Sequence, residues 1–172
     1  TVPQAAATPA GPATAAPATP AGTAAPPSGE KVTITTDLVR ATFDSVGGSL
    51  VHLELLKHAD LADPKRNVRL FEQSAKRQYV AWSGLVTTQA GVTLPNHFSP
   101  MSVRPGVREL GTGQDSLSLS FEAASPTGQK LVKTYTFKRG DYTIGVTHEV
   151  VNGGAAPIAP QVYLQLARDG NP

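Results

Sequence analysis

SLSLSFEAASPTGQKLVKTYTFKRGDY, residues 116–142, is the stretch of the sequence that decides the fold. In residues 116–121 apolar side chains alternate with serines, which is the two-residue period of a strand with one buried face. Residues 125–128, Ser-Pro-Thr-Gly, then supply the residue types of a tight turn, and the alternation resumes over residues 130–138. The stretch therefore predicts a β-hairpin.

The rest of this stretch extends the hairpin into a meander. On the second strand, one face is predicted to carry Leu131, Tyr135 and Phe137, and the other face Val132, Thr134 and Thr136. Arg139-Gly140-Asp141 predicts another tight turn. The next inward row consists of Tyr142, Ile144, Val146, His148 and Val150. Three sequential strands joined by tight turns predict an antiparallel meander.

Further strands are predicted on both sides of the meander. Toward the N-terminus, the alternating apolar residues are Val32 and Ile34, then Val39, Ala41 and Phe43, and, after a turn at Gly47-Gly48, Val51, Leu53 and Leu55. Residues 68–72 and 78–82 predict two more strands, and residues 91–100 an exposed loop. A last run alternates Val162, Leu164 and Leu166 with Tyr163, Gln165 and Ala167. Since no helical pattern of convincing length occurs, the sequence predicts an all-β, antiparallel β-sandwich.

The N-terminal residues 1–29 have a different composition. They contain no charged side chain, and all but Val2, Gln4 and Ser28 are Ala, Pro, Thr or Gly. Such a segment offers almost no apolar surface to bury, and its prolines favour polyproline II. We interpret residues 1–29 as a disordered linker, in preference to an SH3-type ligand, and residues 30–172 as the folded domain.

Composition and charge exclude several function classes. The formal charge is +2 and the isoelectric point is near 9.0, but the basic residues occur as scattered pairs, which argues against a nucleic-acid partner. Because the chain has no Cys, it has no disulfide, thiolate metal site or cysteine nucleophile. Neither a membrane-spanning run nor a signal peptide is present in the sequence.

The histidines and carboxylates do not form a recognisable reactive centre. The four histidines are His52, His58, His97 and His148, and none has the spacing that brings metal ligands together. His148 and Glu149 are neighbours on a strand and must point to opposite faces. Glu54 does share a face with His52, but a solvated sheet face explains that pair. We therefore predict no metal site, no cofactor and no catalytic residue.

Serine and glycine motifs are interpreted in the same way. Ser83-Gly84 and Ser45-Val46-Gly47 lack the surroundings of a nucleophile elbow, and Gly47-Gly48 and Gly111-Thr112-Gly113 lack the helix of a phosphate cradle, so all four are interpreted as turns. Arg139-Gly140-Asp141 is interpreted as a tight turn rather than as an integrin tripeptide. The residues of any binding site stay unassigned at this stage.

Two blocks of sequence resemble a known family. They are residues 36–43 continuing through Gly47-Gly48-Ser49-Leu50, and residues 133–142. Together with the preceding linker and with Ser83-Gly84-Leu85 between them, they resemble, in the right order, the large periplasmic domain of the YidC-type membrane protein insertase. The resemblance covers roughly residues 30–168.

The resemblance implies a fold, a location and a function. It implies a β-supersandwich similar to galactose mutarotase-like folds, on the periplasmic side of the Gram-negative inner membrane. It implies a noncatalytic domain of an insertase that assists the insertion, folding and assembly of integral membrane proteins, alone or with the Sec translocon. Partners would be nascent membrane proteins and Sec components, and membrane helices outside this chain would anchor it. The family's functional arginine belongs to those helices, and the domain is expected to be incomplete at residue 172.

Two other functions stay open. A carbohydrate-binding or mutarotase-like periplasmic domain would suit a β-sandwich with a groove, but it needs a convergent His and Glu. An adhesin-like surface module predicts a downstream anchor other than a bundle of membrane helices.

Overall fold

The computed structural model describes residues 29–170, which contain ten β-strands and no helix. The first sheet has the strand order β1-β2-β3-β4-β5-β10 and the second the order β6-β7-β8-β9. The strands of the first sheet are β1 (Lys31–Thr35), β2 (Val39–Asp44), β3 (Ser49–Ala59), β4 (Asn67–Gln73), β5 (Gln78–Val86) and β10 (Gln161–Arg168). Those of the second are β6 (Ser102–Val103), β7 (Ser116–Ala124), β8 (Gln129–Lys138) and β9 (Gly145–Asn152).

Neighbouring strands of both sheets pair antiparallel, which confirms the predicted fold class. The β7–β8 hairpin pairs from Ser116 with Lys138 to Ala124 with Lys130 without a register shift. Its turn ends at Gly128, whose φ of 90° favours glycine, and the next turn contains Gly140 at 70°. The predicted hairpin and meander, with their turns at residues 125–128 and 139–141, are therefore confirmed. Residues 1–28 lie outside the described residues, and the linker stays a prediction.

The two sheets bury one common core. Phe43 of the first sheet contacts three aromatic rings of the second, with centroid distances of 4.4 Å to Tyr135, 6.0 Å to Phe121 and 6.2 Å to Phe137. Other members of the core are Val32, Ile34, Val39, Ala41, Leu50, Leu53, Leu85, Leu117, Leu119 and Leu131. Each of these residues except Leu50 and Leu85 belongs to an alternating apolar row that the sequence predicted. Burial of this apolar surface is the main stabilising contribution to such a sandwich.

The segment predicted to be an exposed loop, residues 91–100, is only partly exposed. Leu94 and Pro95 are buried, and Leu94 belongs to the core. The Pro95 carbonyl accepts a hydrogen bond from the Leu85 N–H of β5, which anchors the loop to the first sheet. Pro and Gly correctly marked the absence of a strand, but they could not reveal that this irregular segment packs against one. The short strand β6 that follows was not predicted.

The last strand, β10, lies at the edge of the first sheet. Val162, Leu164 and Leu166 are 56%, 69% and 57% exposed, although they alternate as a buried row would. Tyr142, predicted to face inward, is also 44% exposed, because it precedes β9 and instead hydrogen-bonds His58 at 3.0 Å. None of residues 29–170 forms a helix long and apolar enough to cross a membrane.

Candidate functional site

A buried lysine lies between the two sheets. Lys133 has the same strand parity on β8 as Leu131 and Tyr135, so its side chain points into the core, where it has no solvent-exposed surface. Its Nζ donates hydrogen bonds to the carbonyl oxygens of Gly47 at 2.6 Å and Ser83 at 2.9 Å. Lys133 was not among the residues predicted to face inward, although its position between two inward-facing residues was a sufficient signal.

Two of the carbonyls near Lys133 Nζ, those of Gly47 and Gly48, belong to the Gly-Gly turn between β2 and β3. Gly47 and Gly48 have φ values of 72° and 54°, a conformation that glycine adopts without strain. The Gly48 carbonyl accepts from the Tyr135 hydroxyl at 2.5 Å and lies 3.4 Å from Lys133 Nζ. The two sequence blocks that carry the family resemblance therefore contact each other, and they join the two sheets through this turn.

The same cluster holds a serine and a histidine in contact. Ser83 Oγ of β5 lies 2.9 Å from His148 Nε2 of β9, and Ser83 is 2% exposed. Burial lowers the pKa of Lys133 to about 7, and burial, with a smaller contribution from the Lys133 charge, lowers the pKa of His148 to about 4. Burial also raises the pKa of Tyr135. His148 is thus neutral near pH 7. Depending on the tautomer, its Nε2 accepts a hydrogen bond from Ser83 Oγ or donates one to it.

The Ser83–His148 contact has the distance of a nucleophile and its general base, but the surroundings do not complete such a site. Within residues 29–170, His148 Nδ1 has no hydrogen-bond partner that would orient the ring. The serine is also almost inaccessible to a substrate. We interpret Lys133, Tyr135, Ser83 and His148 as a polar cross-link between the sheets, named here the intersheet cluster.

An aromatic pocket lies on the outer face of the first sheet. The Trp82 ring of β5 stacks on the His97 ring with a centroid distance of 4.7 Å and an interplanar angle of 11°, and Phe98, 61% exposed, lies beside His97. The Tyr163 hydroxyl of β10 accepts from the His97 N–H at 3.1 Å and also contacts His97 Nδ1. The lining residues of this Trp82 pocket are Asp44, Val46, Ser49, Val51, Gln73, Trp82, His97 and Phe98.

Gly84 allows the loop of the Trp82 pocket to approach β5. Ser83-Gly84 was predicted to form a turn, but both residues lie inside β5. A Cβ at Gly84 would lie 2.7 Å from Asn96 Cα and 2.8 Å from the Tyr163 hydroxyl oxygen, closer than real contacts allow. The glycine is needed here for close packing and not for a turn.

Replacing Gly84 by alanine is expected to lower the free energy of unfolding by about 2 kcal/mol, because the added methyl group must displace backbone or the Tyr163 hydroxyl. Gly145→Ala on β9 is the matched control, since its Cβ would meet nothing closer than 3.8 Å. Urea unfolding of both variants checks this. Equal stability of the two variants would show that the loop is not held by the close approach at Gly84.

The remaining sequence-derived candidates do not converge. Glu54, which shares a strand with His52, accepts hydrogen bonds from Arg40 at 3.3 Å and Asn67 at 2.8 Å. The predicted turn at residues 139–141 is tied to the β1–β2 turn by the Gly140 N–H, which donates to Asp37 at 3.0 Å. Among residues 29–170, no group of three or more His, Cys, Asp or Glu is placed to hold a metal ion.

Known proteins match nearly the whole folded part of this chain. The family model described as the YidC periplasmic domain matches residues 31–172. The chain belongs to the YidC periplasmic domain family. Curated relatives, each called membrane protein insertase YidC, include one from Janthinobacterium sp. (strain Marseille), 49% identical over 86% of this chain. Another, from Cupriavidus metallidurans (strain CH34), is 47% identical over 99% of this chain.

The YidC relatives are considerably longer than this chain. It spans 25% of the Janthinobacterium protein and 29% of the Cupriavidus metallidurans protein. A third relative, from Bordetella petrii, is 44% identical over 83% of this chain and 25% of its own length. The YidC resemblance seen in the sequence is confirmed, and it concerns one region of the longer relatives.

Proposed function

We propose that this chain is the noncatalytic periplasmic domain of a membrane protein insertase, facing the periplasm at the inner membrane. In this proposal the domain contacts emerging membrane proteins or translocon components while insertion takes place elsewhere in the larger protein. The observation that carries the proposal is the YidC periplasmic domain match over residues 31–172. The relatives' shared name, membrane protein insertase, supports the same function.

The geometry of the domain supports a binding role. The Ser83–His148 pair has a contact suited to acid–base chemistry, but its serine is buried within the intersheet cluster. By contrast, large apolar side chains are exposed at separate places on the surface, including Leu61 at 101%, Phe98 at 61% and Leu70 at 41%. Single exposed apolar side chains are normal on a protein surface, and these three provide accessible positions at which contact with another polypeptide can be tested.

Site-specific photo-crosslinking in the full-length, membrane-embedded protein tests the proposal. A photoreactive amino acid is placed in turn at Leu61, Leu70 and Phe98, and at the fully buried Leu119 as the control. We expect at least one exposed position to form adducts with a nascent membrane protein or a Sec translocon subunit during insertion, and Leu119 to form none. Absence of such adducts from all three exposed positions, with the protein correctly placed in the membrane, would contradict the proposal.

The carbohydrate-binding alternative predicts a different measurement. A mutarotase-like site requires a His and a Glu that converge on one sugar. Among residues 29–170, the hydrogen-bond partners of the ring nitrogens of His58, His97 and His148 are Tyr142, Tyr163 and Ser83, and none of these is a Glu. Titration calorimetry with mono- and oligosaccharides discriminates between the two functions. Saturable sugar binding would favour the alternative over an insertase partner domain.

A further inference from the structure

The end of β3, the β3–β4 loop and strand β4 carry the excess positive charge of the chain. Residues 57–77 contain six Lys and Arg against three Asp and Glu, so this segment has a formal charge of +3. The whole chain has a formal charge of +2, which leaves −1 for all other residues. Two adjacent basic pairs, Lys65-Arg66 and Lys76-Arg77, belong to this one segment of the fold.

The acidic side chains of the segment are already engaged. Asp60 Oδ1 accepts hydrogen bonds from two backbone N–H groups of its own loop, at 2.8 and 3.3 Å. Asp63 pairs with Arg66 at 3.2 Å, and Glu72 pairs with Arg69 at 3.5 Å. These carboxylates are therefore used for local structure and do not neutralise the remaining cations.

Several basic side chains of the segment have no acidic partner. Among residues 29–170, the exposed cations of this segment that form no ion pair are Lys57, Lys65, Lys76 and Arg77. Uncompensated positive charge attracts an anionic partner over about 10 Å, the Debye length at ordinary ionic strength. Charge complementarity therefore points to a partner with a negatively charged surface.

A groove along β4 brings Arg77 together with the β3–β4 loop. It has a volume of about 230 Å³. Three carboxylates and three guanidinium groups line it, those of Asp60, Asp63, Glu72, Arg66, Arg69 and Arg77. Because Arg66 and Arg69 already pair with carboxylates, Arg77 is the guanidinium group that is free to bind a ligand. A guanidinium group can donate two parallel hydrogen bonds to a phosphate, so this Arg77 groove suits a phosphate group.

The β3–β4 loop adds an apolar tip beside these charges. Leu61 is 101% exposed, and Ala62 and Pro64 are exposed next to it. Two backbone hydrogen bonds close the loop, at 2.8 and 2.9 Å, so its conformation is set before a partner binds and little entropy is lost on contact. Apolar groups that enter the lipid boundary and cations that bind anionic headgroups are the two contributions to binding at a membrane surface. The loop provides both, since Lys65-Arg66 follows its apolar tip.

We propose that the β3–β4 loop and the Arg77 groove form a contact site for a membrane surface that contains anionic phospholipids. Leu61 enters the lipid boundary, while Lys65 and Arg77 bind lipid phosphates. A nucleic acid is also a polyanion, but it offers no apolar layer for the exposed loop tip. The inference rests on the proposed function only in requiring that a membrane lies close to the domain.

Co-sedimentation of the 172-residue chain with lipid vesicles tests the proposal. The two probes are vesicles of phosphatidylethanolamine with phosphatidylglycerol, which are anionic, and vesicles of phosphatidylethanolamine with phosphatidylcholine, which are neutral. We expect at least about tenfold tighter binding to the anionic vesicles, weakened by added salt because salt screens the attraction. Absence of binding to the anionic vesicles, or equal binding to both compositions, would overturn the proposal.

A pair of double variants separates the site from the net charge. Lys65→Gln/Arg77→Gln is expected to bind anionic vesicles at least about tenfold more weakly, since each basic residue near such a surface changes the affinity about fivefold. The matched control, Arg104→Gln/Lys130→Gln, removes the same charge beside Glu122 on the second sheet and is expected to change binding less than about twofold. Circular dichroism checks that both variants are folded. Equal weakening in the two would mean that only net charge matters, which would overturn the site.

Leu61→Ser tests the apolar contribution separately. We expect it to bind anionic vesicles about fivefold more weakly, because part of the leucine side chain no longer leaves water. The control is Leu166→Ser on β10, where the leucine is 57% exposed outside the site. Full affinity in Leu61→Ser would contradict entry of the loop tip into lipid. These results are separate from the test of the insertase proposal, because cross-links from Leu70 and Phe98 to protein partners do not require lipid contact at Leu61.

Discussion

Replacing Lys133 by methionine is expected to lower the free energy of unfolding by about 3 kcal/mol at pH 10, because it strips two buried carbonyls of their donor. At that pH the amine, with its pKa lowered to about 7, is mostly neutral. Its two N–H groups then match the two shortest hydrogen bonds, to Gly47 and Ser83. Methionine fills a similar volume, so the expected loss comes from unpaired carbonyls and not from a cavity.

The matched control for this variant is Lys130→Met. Lys130 lies three residues earlier on β8, on the opposite face, and pairs with Glu122 at the surface. Since Glu122 is also held by Arg104 at 2.8 Å, losing Lys130 should cost less than about 1 kcal/mol. Urea unfolding followed by circular dichroism measures both. A cost below about 1 kcal/mol for Lys133→Met would show that the intersheet cluster does not hold the sheets together.

The sequence was sufficient to predict most of the fold because the strands have one buried face. The serine alternation of residues 116–121 and the turn residues at 125–128 are compatible with few structures other than a hairpin. Strands β7 and β8 lie where that pattern predicted them. Residues 91–100 show the limit of this reasoning. Their burial depends on β5, which is distant in sequence, and local composition carries no information about such packing.

The candidate sites were harder to predict for the same reason. Lysine is usually a surface residue, and only the position of Lys133 in the alternation indicates that it lies in the core. Gly84 looks like a turn residue, but its role is to admit Asn96 and Tyr163. Lys133 and Gly84 both act through contacts between segments that are distant in sequence. The alternation on β8 contains the direction of the Lys133 side chain, although the prediction overlooked it, and the structure was required to identify its partners.

The buried titratable groups also predict an unusual dependence of stability on pH. Lys133 has a pKa of about 7 in the folded chain and 10.5 in its unperturbed state, so between these values the unfolded chain binds more protons. Stability must therefore rise as the pH increases from about 7 to 10.5. His148, with its pKa lowered from 6.5 to about 4, adds a rise between those two values by the same argument. Tyr135, whose pKa is raised above 10.0, reverses the trend at higher pH.

We therefore expect maximal stability near pH 10, whereas proteins are commonly most stable between about pH 5 and 8. From pH 7 to 10 the free energy of unfolding is expected to increase by roughly 3 to 4 kcal/mol, since one pKa unit corresponds to about 1.4 kcal/mol. Urea unfolding at half-unit pH steps measures the curve. In Lys133→Met the rise above pH 7 should disappear while the rise caused by His148 below pH 6.5 remains, because only the first depends on the lysine. If the dependence of stability on pH is unchanged in Lys133→Met, the alkaline rise belongs to another group. If stability does not rise above pH 7 in the unsubstituted chain, Lys133 keeps its charge in the core through its three carbonyl acceptors.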